Sequence, residues 1–341
     1  MAGKVGAAVA ALGRWGRRAW GGLAGGLRPM LSKELRSRTR GWRAPGLLSA
    51  YVLALGGVSL GAYALMVRGT RFGGSLPAEV GLQIFSYMAI CQVMMVAFVV
   101  PALTAGAISG ERERRTLDLL LVTQVSPAGM VLGKLLSSLV YVLLLLVATL
   151  PVFAQVYFFG GVPLPLLFAV LGLSAAAAVA LGAVGLFFSA LFRRTQQAAV
   201  AAYAAVFLLV FGSVVATAVL AAVPRYPPPP YPVPPWTAYI SPLSALLSVL
   251  PFSGGVPFEG PVPVPFLLQG QVPPGTPPPP DLQAPWVYHL AFDGALTAAL
   301  LTLTMLLVAP VKPWHRLGGR LRRRLALRRR PAVPGGEVSG R

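Results

Sequence analysis

Residues Gly81–Phe158 read GLQIFSYMAICQVMMVAFVVPALTAGAISGERERRTLDLLLVTQVSPAGMVLGKLLSSLVYVLLLLVATLPVFAQVYF. Gly81–Ile108 carries no charged side chain, and Met130–Phe158 carries only Lys134. The hydrocarbon core of a bilayer, about 30 Å thick, is crossed by roughly 20 apolar residues wound as a helix. Both flanks are therefore expected to span a membrane, with the charged stretch between them outside it. Each flank is longer than a straight crossing needs. They are expected to tilt, to kink near Pro101 and Pro151, or to run past the headgroups.

Working outward, four more stretches qualify, at about 46–67, 164–192, 197–223 and 286–310. The fold class expected is an all-α polytopic membrane protein with six transmembrane helices, so that both termini lie on one side. Composition agrees. Of the 341 residues 56% are hydrophobic and 11% charged, far below the roughly 25% charged residues of a soluble domain. The net charge of +20 raises the question of nucleic acid, and the placement of the basic residues answers it. Ten precede the first span, four lie between spans two and three, two between four and five, and ten follow the sixth. The other side has only Arg68, Arg71 and Arg225. Lys and Arg accumulate on cytoplasmic loops, so both termini are expected in the cytoplasm. The high isoelectric point reflects topology.

Cys91 is the single cysteine, which excludes an intramolecular disulfide and a cysteine-based metal cluster. The first apolar run, Val5–Leu12, is followed rather than preceded by Arg14, Arg17 and Arg18, so no signal cleavage is expected. In the fourth span Ser174, Ala178 and Gly182 recur four apart with Gly185 nearby, a stripe that lets helices approach closely. It is read as packing within one chain rather than a subunit contact. The region 224–285 holds 21 of the 33 prolines and is expected to be polyproline II or irregular chain. Within it Trp236–Leu250 is apolar but too short to span, and reads as a re-entrant or interfacial segment. A proline-rich ligand for an adaptor domain is a poor reading of an outward loop.

Catalytic signatures are missing. Gly133-Lys134 resembles the end of a phosphate-binding loop, but Ala128 stands where the first glycine belongs and Leu135 where Ser or Thr belongs. No metal set or hydrolase motif appears, and there are two histidines, His289 and His315. In the sixth span His289, Asp293, Thr297 and Thr304 share a helical face. This face, like Gln83, Tyr87 and Gln92 in span two, is read as polar packing between helices, with a place in a transport path as the alternative. An intramembrane enzyme built on His289 and Asp293 is the weakest reading. The arginine-rich tail after Lys312 lacks the aromatic interleaving of single-strand binding grooves, and reads as an anchor to anionic lipid.

The most informative stretch is 109–127, SGERERRTLDLLLVTQVSP, with six of the chain's charged residues between Glu111 and Asp118. As one helix it pairs Glu111 with Arg115 and Arg114 with Asp118, while Leu117, Leu120, Leu121 and Gln124 form the other face. Glu113 falls among those leucines. A membrane-surface helix and a helix presented to a groove on a protein partner are both open on the residues alone. Ser126 and Pro127 suit the N-cap and first position of the third span.

Glu111–Leu136, ERERRTLDLLLVTQVSPAGMVLGKLL, resembles the stretch between the second and third helices of ABC-2 type transporter permeases, through Glu111, Arg112, Glu113, Thr116, Leu117, Asp118, Leu120 and Gly133–Leu136. The segments Leu31–Arg38 and Ser189–Ala198 and the pair Ser241-Pro242 fit as well. The longer, proline-biased outer loop departs from the family. The resemblance implies the ABC-2 type exporter fold. It further implies that Glu111, Arg112, Glu113, Thr116, Leu117, Asp118, Leu120 and Leu121 belong to or adjoin a coupling helix seated on a cytosolic ABC ATPase subunit. ATP and Mg would be bound there, no cofactor or metal on this chain, and a second permease subunit would complete a homo- or heterodimer in the inner (plasma) membrane. Lys33–Trp42 resembles the family's amphipathic connecting helix. The expected organisation is a basic cytoplasmic region 1–45 containing that helix, a membrane domain 46–310 and a basic tail 311–341. The expected function is ATP-driven transport, as an exporter, with a scaffold or assembly factor without transport as the alternative.

Overall fold

A computed structural model describes residues 43–69, 77–116, 127–157, 161–222, 235–250 and 285–308. The expected connecting helix, the basic tail, Leu117–Leu121 and most of the proline-rich region lie outside these.

The second span is α2 (Pro77–Thr104), followed by turns and the short α3 (Ser109–Glu113). The first span is α1 (Arg43–Gly69). The third is α4 (Pro127–Ala148) continued by α5 (Leu150–Tyr157), the fourth α6 (Leu164–Leu191), and the fifth α7 (Thr195–Phe207), a π turn (Leu208–Gly212) and α8 (Ser213–Ala222). A 3-10 turn (Trp236–Tyr239) and α9 (Pro242–Val249) precede the sixth span, α10 (Pro285–Val308). Among the described residues there is no strand, and six helical segments are long and apolar enough to cross a membrane.

Proline shapes several of these elements. The third span breaks at Thr149, two residues before Pro151, whose missing N–H cannot continue the ladder. By contrast α2 runs through Pro101 and ends one turn later at Thr104. Proline opens α4, α9 and α10, where its fixed φ suits a first turn. Ser241 caps α9 by accepting a hydrogen bond from Ser244 N.

α6 is the centre of the bundle, packed by α2, α4, α7, α9 and α10. Its stripe makes this possible, since Ser174, Ala178, Gly182 and Gly185 are all buried within the chain. A methyl at Gly185 would overlap Thr104 Oγ1 and sit 2.9 Å from Thr104 Cβ, and one at Gly182 would lie 2.9 Å from Leu135 Cδ1. The stripe is thus internal packing, as expected.

Of the four apolar clusters among the described residues, three stack along the bundle. Ile108, Met130, Leu135, Leu186 and Val308 fill one end. Val100, Val142, Leu181, Val184 and Val206 fill the middle. At the other end Ile84, Phe85, Met88 and Phe153 meet Leu246 and Leu250. The segment 235–250 therefore returns into the bundle beside α2. Trp236 projects outward at 68% exposed. Thr217 and Thr237 share a hydrogen bond of 2.8 Å, and Ser241 Oγ reaches the Val210 carbonyl of the π turn at 3.4 Å.

Candidate functional site

At the end of the bundle where α2 stops, the chain must turn while its backbone donors stay out of water. Ser189 of α6 meets that need. Its Oγ accepts from Ile108 N at 2.9 Å and Ser109 N at 3.0 Å, two of the donors that a helix start leaves unpaired. Ser109 Oγ in turn donates to Ala105 O. Gly106 faces Thr195 so closely that a Cβ would lie 3.1 Å from Thr195 Cγ2.

Three consecutive charged residues of α3 then go to three different spans. Glu111 Oε1 accepts from Lys134 Nζ of α4 at 2.7 Å, and the same ammonium donates to the Ala107 carbonyl at 2.7 Å. Lys134 is almost wholly buried, and Glu111 is about a quarter exposed. Arg112 Nη1 donates to the carbonyls of Ala190 and Phe192, at 3.1 and 3.3 Å. It sits on the C-terminal end of α6, where unpaired carbonyls and the helix dipole favour a cation. Glu113 does the converse at α7. Its Oε1 accepts from Thr195 N at 2.8 Å and its Oε2 from Thr195 Oγ1 at 2.7 Å. These two hydrogen bonds, the backbone one foremost, with Arg194 and Arg114 nearby, hold the Glu113 carboxyl below its usual range.

The helix expected over 109–127 is shorter than the sequence suggests, for α3 stops at Glu113. Arg115 adopts φ 56°, Thr116 N bonds Glu111 O and Arg115 N bonds Arg112 O. This is the bond pattern of a Schellman stop with arginine in the place usual for glycine. Glu111 accordingly pairs with Lys134, where the sequence suggested Arg115. Glu113, which the sequence places among the leucines of one face, bonds Thr195 of α7. Arg114, Arg115, Arg193 and Arg194 are exposed around this clasp, and Leu117, Asp118, Leu120 and Leu121 follow it outside the described residues.

The other singled-out residues lie elsewhere. Gln92 is fully buried. Thr149 gives its one proton to Leu146 O at 2.6 Å, so its 3.0 Å contact with the Gln92 amide is best served by the amide nitrogen, which has no other partner. This polar contact ties span two to span three. Tyr87 is exposed and Gln83 half-buried. His289 and Asp293 are buried beside Tyr239. Among the described residues no group of acidic, histidine or cysteine side chains has the makings of a metal site.

The family model described as ABC-2 family transporter protein matches residues 29–310. The chain belongs to the ABC-2 transporter family. It is a multi-pass membrane component of a transport system, a permease rather than a catalyst. The clasp lies in the part of this permease between its second and third spans. No curated protein matches the permease. Sequence reasoning had marked Glu111, Arg112, Glu113 and Lys134 but not the groups that receive them. Ser189 and Thr195 stand inside the quoted segment Ser189–Ala198, and two hydroxyls flanking a charged turn were the available signal.

Proposed function

We propose that the permease is the membrane subunit of an ATP-driven exporter in the plasma membrane, coupled through residues 109–127 to a separate cytosolic ABC ATPase and paired with a second permease subunit. The observation that carries this reading is the clasp. A load applied to the chain just after Thr116 passes through Glu111, Arg112 and Glu113 to α4, α6 and α7, and along the backbone to α2. One short segment thereby grips four spans. Residues 117–121, with Leu117, Leu120 and Leu121 about Asp118, have the apolar knobs and the charge suited to a groove on the ATPase, and Arg114 and Arg115 extend that surface.

Contact and transmission separate experimentally. Leu117→Asp should abolish copurification of the ATPase while the permease still inserts. Glu113→Gln should leave the ATPase bound but lower transport per ATP hydrolysed. Wild-type binding and transport in both variants would overturn the coupling role.

A further inference from the structure

At the opposite end of the bundle α10 carries His289, Asp293 and Thr297, four residues apart on one face. His289 is 1% and Asp293 5% exposed. His289 Nδ1 lies 3.1 Å from the carbonyl oxygen of Tyr239. A carbonyl only accepts, so Nδ1 carries a hydrogen. The other ring nitrogen, Nε2, stands 3.2 Å from Asp293 Oδ2. The contact does not meet the geometry of a hydrogen bond, yet neither atom has another partner. Thr297 Oγ1, one turn further along, and Ser244 Oγ on α9, which packs against α10, are also buried and unpartnered.

With Nδ1 protonated, an unprotonated Nε2 beside an ionised carboxylate would set a lone pair against a negative charge at this spacing. One proton between them removes the conflict, whether it rests on the imidazole as an ion pair or on the carboxyl as a neutral pair. Either arrangement has no net charge, which suits an apolar helix where an uncompensated charge is costly. The surroundings leave the pair to itself. On the elements packed against α10, the titratable groups among the described residues are Tyr239 in the 3-10 turn and Lys134 and Tyr141 on α4, while α6 and α9 carry none. Tyr288 is on α10 itself, its ring 5.0 Å from that of Tyr239. Lys134 is engaged by Glu111 at the far end.

We propose that His289 and Asp293 form a proton-binding site, which exchanges one proton with water at the Trp236 end and whose occupancy decides whether segment 235–250 is held to the sixth span. Release of the proton to water leaves the carboxylate facing the imidazole lone pair. The ring turns away, and the Nδ1–H bond to Tyr239 breaks. Uptake restores both contacts. The inference does not rest on coupling to an ATPase.

Two histidines make the test direct. Full-length protein bearing His315→Gln, labelled with 15N-histidine and held in lipid nanodiscs, reports on His289 alone. Its Nε2 resonance should pass through one pH-dependent transition, accompanied by loss of a carboxylic-acid infrared band where the shared proton rests on Asp293 and by loss of the imidazolium signal where it rests on His289. Asp293→Asn should abolish any such band and displace the midpoint of the Nε2 transition. Should that variant fail to accumulate, coincidence of the wild-type Nε2 transition with the change in exchange over 235–250 decides. Hydrogen–deuterium exchange over 235–250, corrected for its intrinsic pH dependence, should rise across the same midpoint. It should lose that dependence in His289→Asn, whose amide still donates to Tyr239 but does not titrate. An Nε2 resonance that stays constant with pH, or whose transition is unmoved by Asp293→Asn, would reduce the pair to helix packing. Exchange that ignores the midpoint would overturn the hold on 235–250.

Discussion

Lys134 shows how a single side chain can be costly to bury and costlier to strand. Its ammonium is nearly sealed from solvent and satisfied by Glu111 and the Ala107 carbonyl, so removing either charge leaves the other in a poor environment. Lys134→Ala should destabilise the permease by about 3 kcal/mol, read as thermal unfolding in detergent. Lys134→Met combined with Glu111→Leu should recover most of that loss, and a double variant as unstable as Lys134→Ala would show that the ion pair is not the cause. Glu113 gives a pH dependence of definite sign. Because Thr195 lowers its folded-state pKa, its contribution is complete above the ordinary glutamate pKa and is lost as pH falls through the lowered one. Wild type and Glu113→Gln should therefore differ most in melting temperature near neutrality and converge in acid. Arg115 is the strained member of the group. Arg115→Gly should raise stability by about 1 kcal/mol by relieving the left-handed conformation, and a fall would mean that its side chain makes a compensating contact. None of these partnerships was legible in the sequence. The acids and bases stood out, but an arginine at φ 56° carries no turn signal, and a carbonyl at the end of α6 leaves no trace in composition.

Helices were legible for a different reason. A run of apolar residues long enough to cross a bilayer is a property of consecutive positions, so the six spans follow from Gly81–Ile108 and its counterparts with ends shifted by a few residues. The break before Pro151 and the small-residue stripe of α6 are also local. The π turn at Leu208–Gly212 is not, because in LLVFG only Gly212 weakens an ordinary helix, and a lone glycine does not specify a π turn. Its carbonyls serve Ser213 and, across the loop, Ser241, a tertiary demand. The α2–α6 crossing offers a test at this scale. Gly185→Ala should cost about 1–3 kcal/mol, as overpacking does, because the new methyl meets both Oγ1 and Cβ of Thr104. Thr104→Ala in the same chain should return only part of the loss, since the Cβ contact at 2.9 Å remains. Full stability of Gly185→Ala alone would mean that the two helices part easily.

Across the whole molecule the polar constructions sit at opposite ends. The clasp of Glu111, Arg112 and Glu113 closes one end, the contacts of segment 235–250 with His289, Thr217 and Val210 close the other, and packed apolar layers lie between. Spans two to four form the interior, whereas the first span is mostly uncovered and offers Leu53, Leu60 and Leu65 to lipid or a second subunit. Three crossings, the third to the fifth, separate the clasp from segment 235–250 and put the two on opposite faces of the membrane, and the basic residues predict which is which. Arg114, Arg115, Arg193 and Arg194 surround the clasp, and positive charge accumulates on the cytoplasmic side. Cys91 is the single native thiol, so Cys91→Ser supplies a clean background. In that background Arg194→Cys should react with a membrane-impermeant maleimide in inverted vesicles and resist it in intact cells. Trp236→Cys should show the reverse. Labelling of Arg194→Cys from outside would put the clasp out of reach of any cytosolic ATPase, because the same six crossings that hold it together would then present it to the wrong compartment.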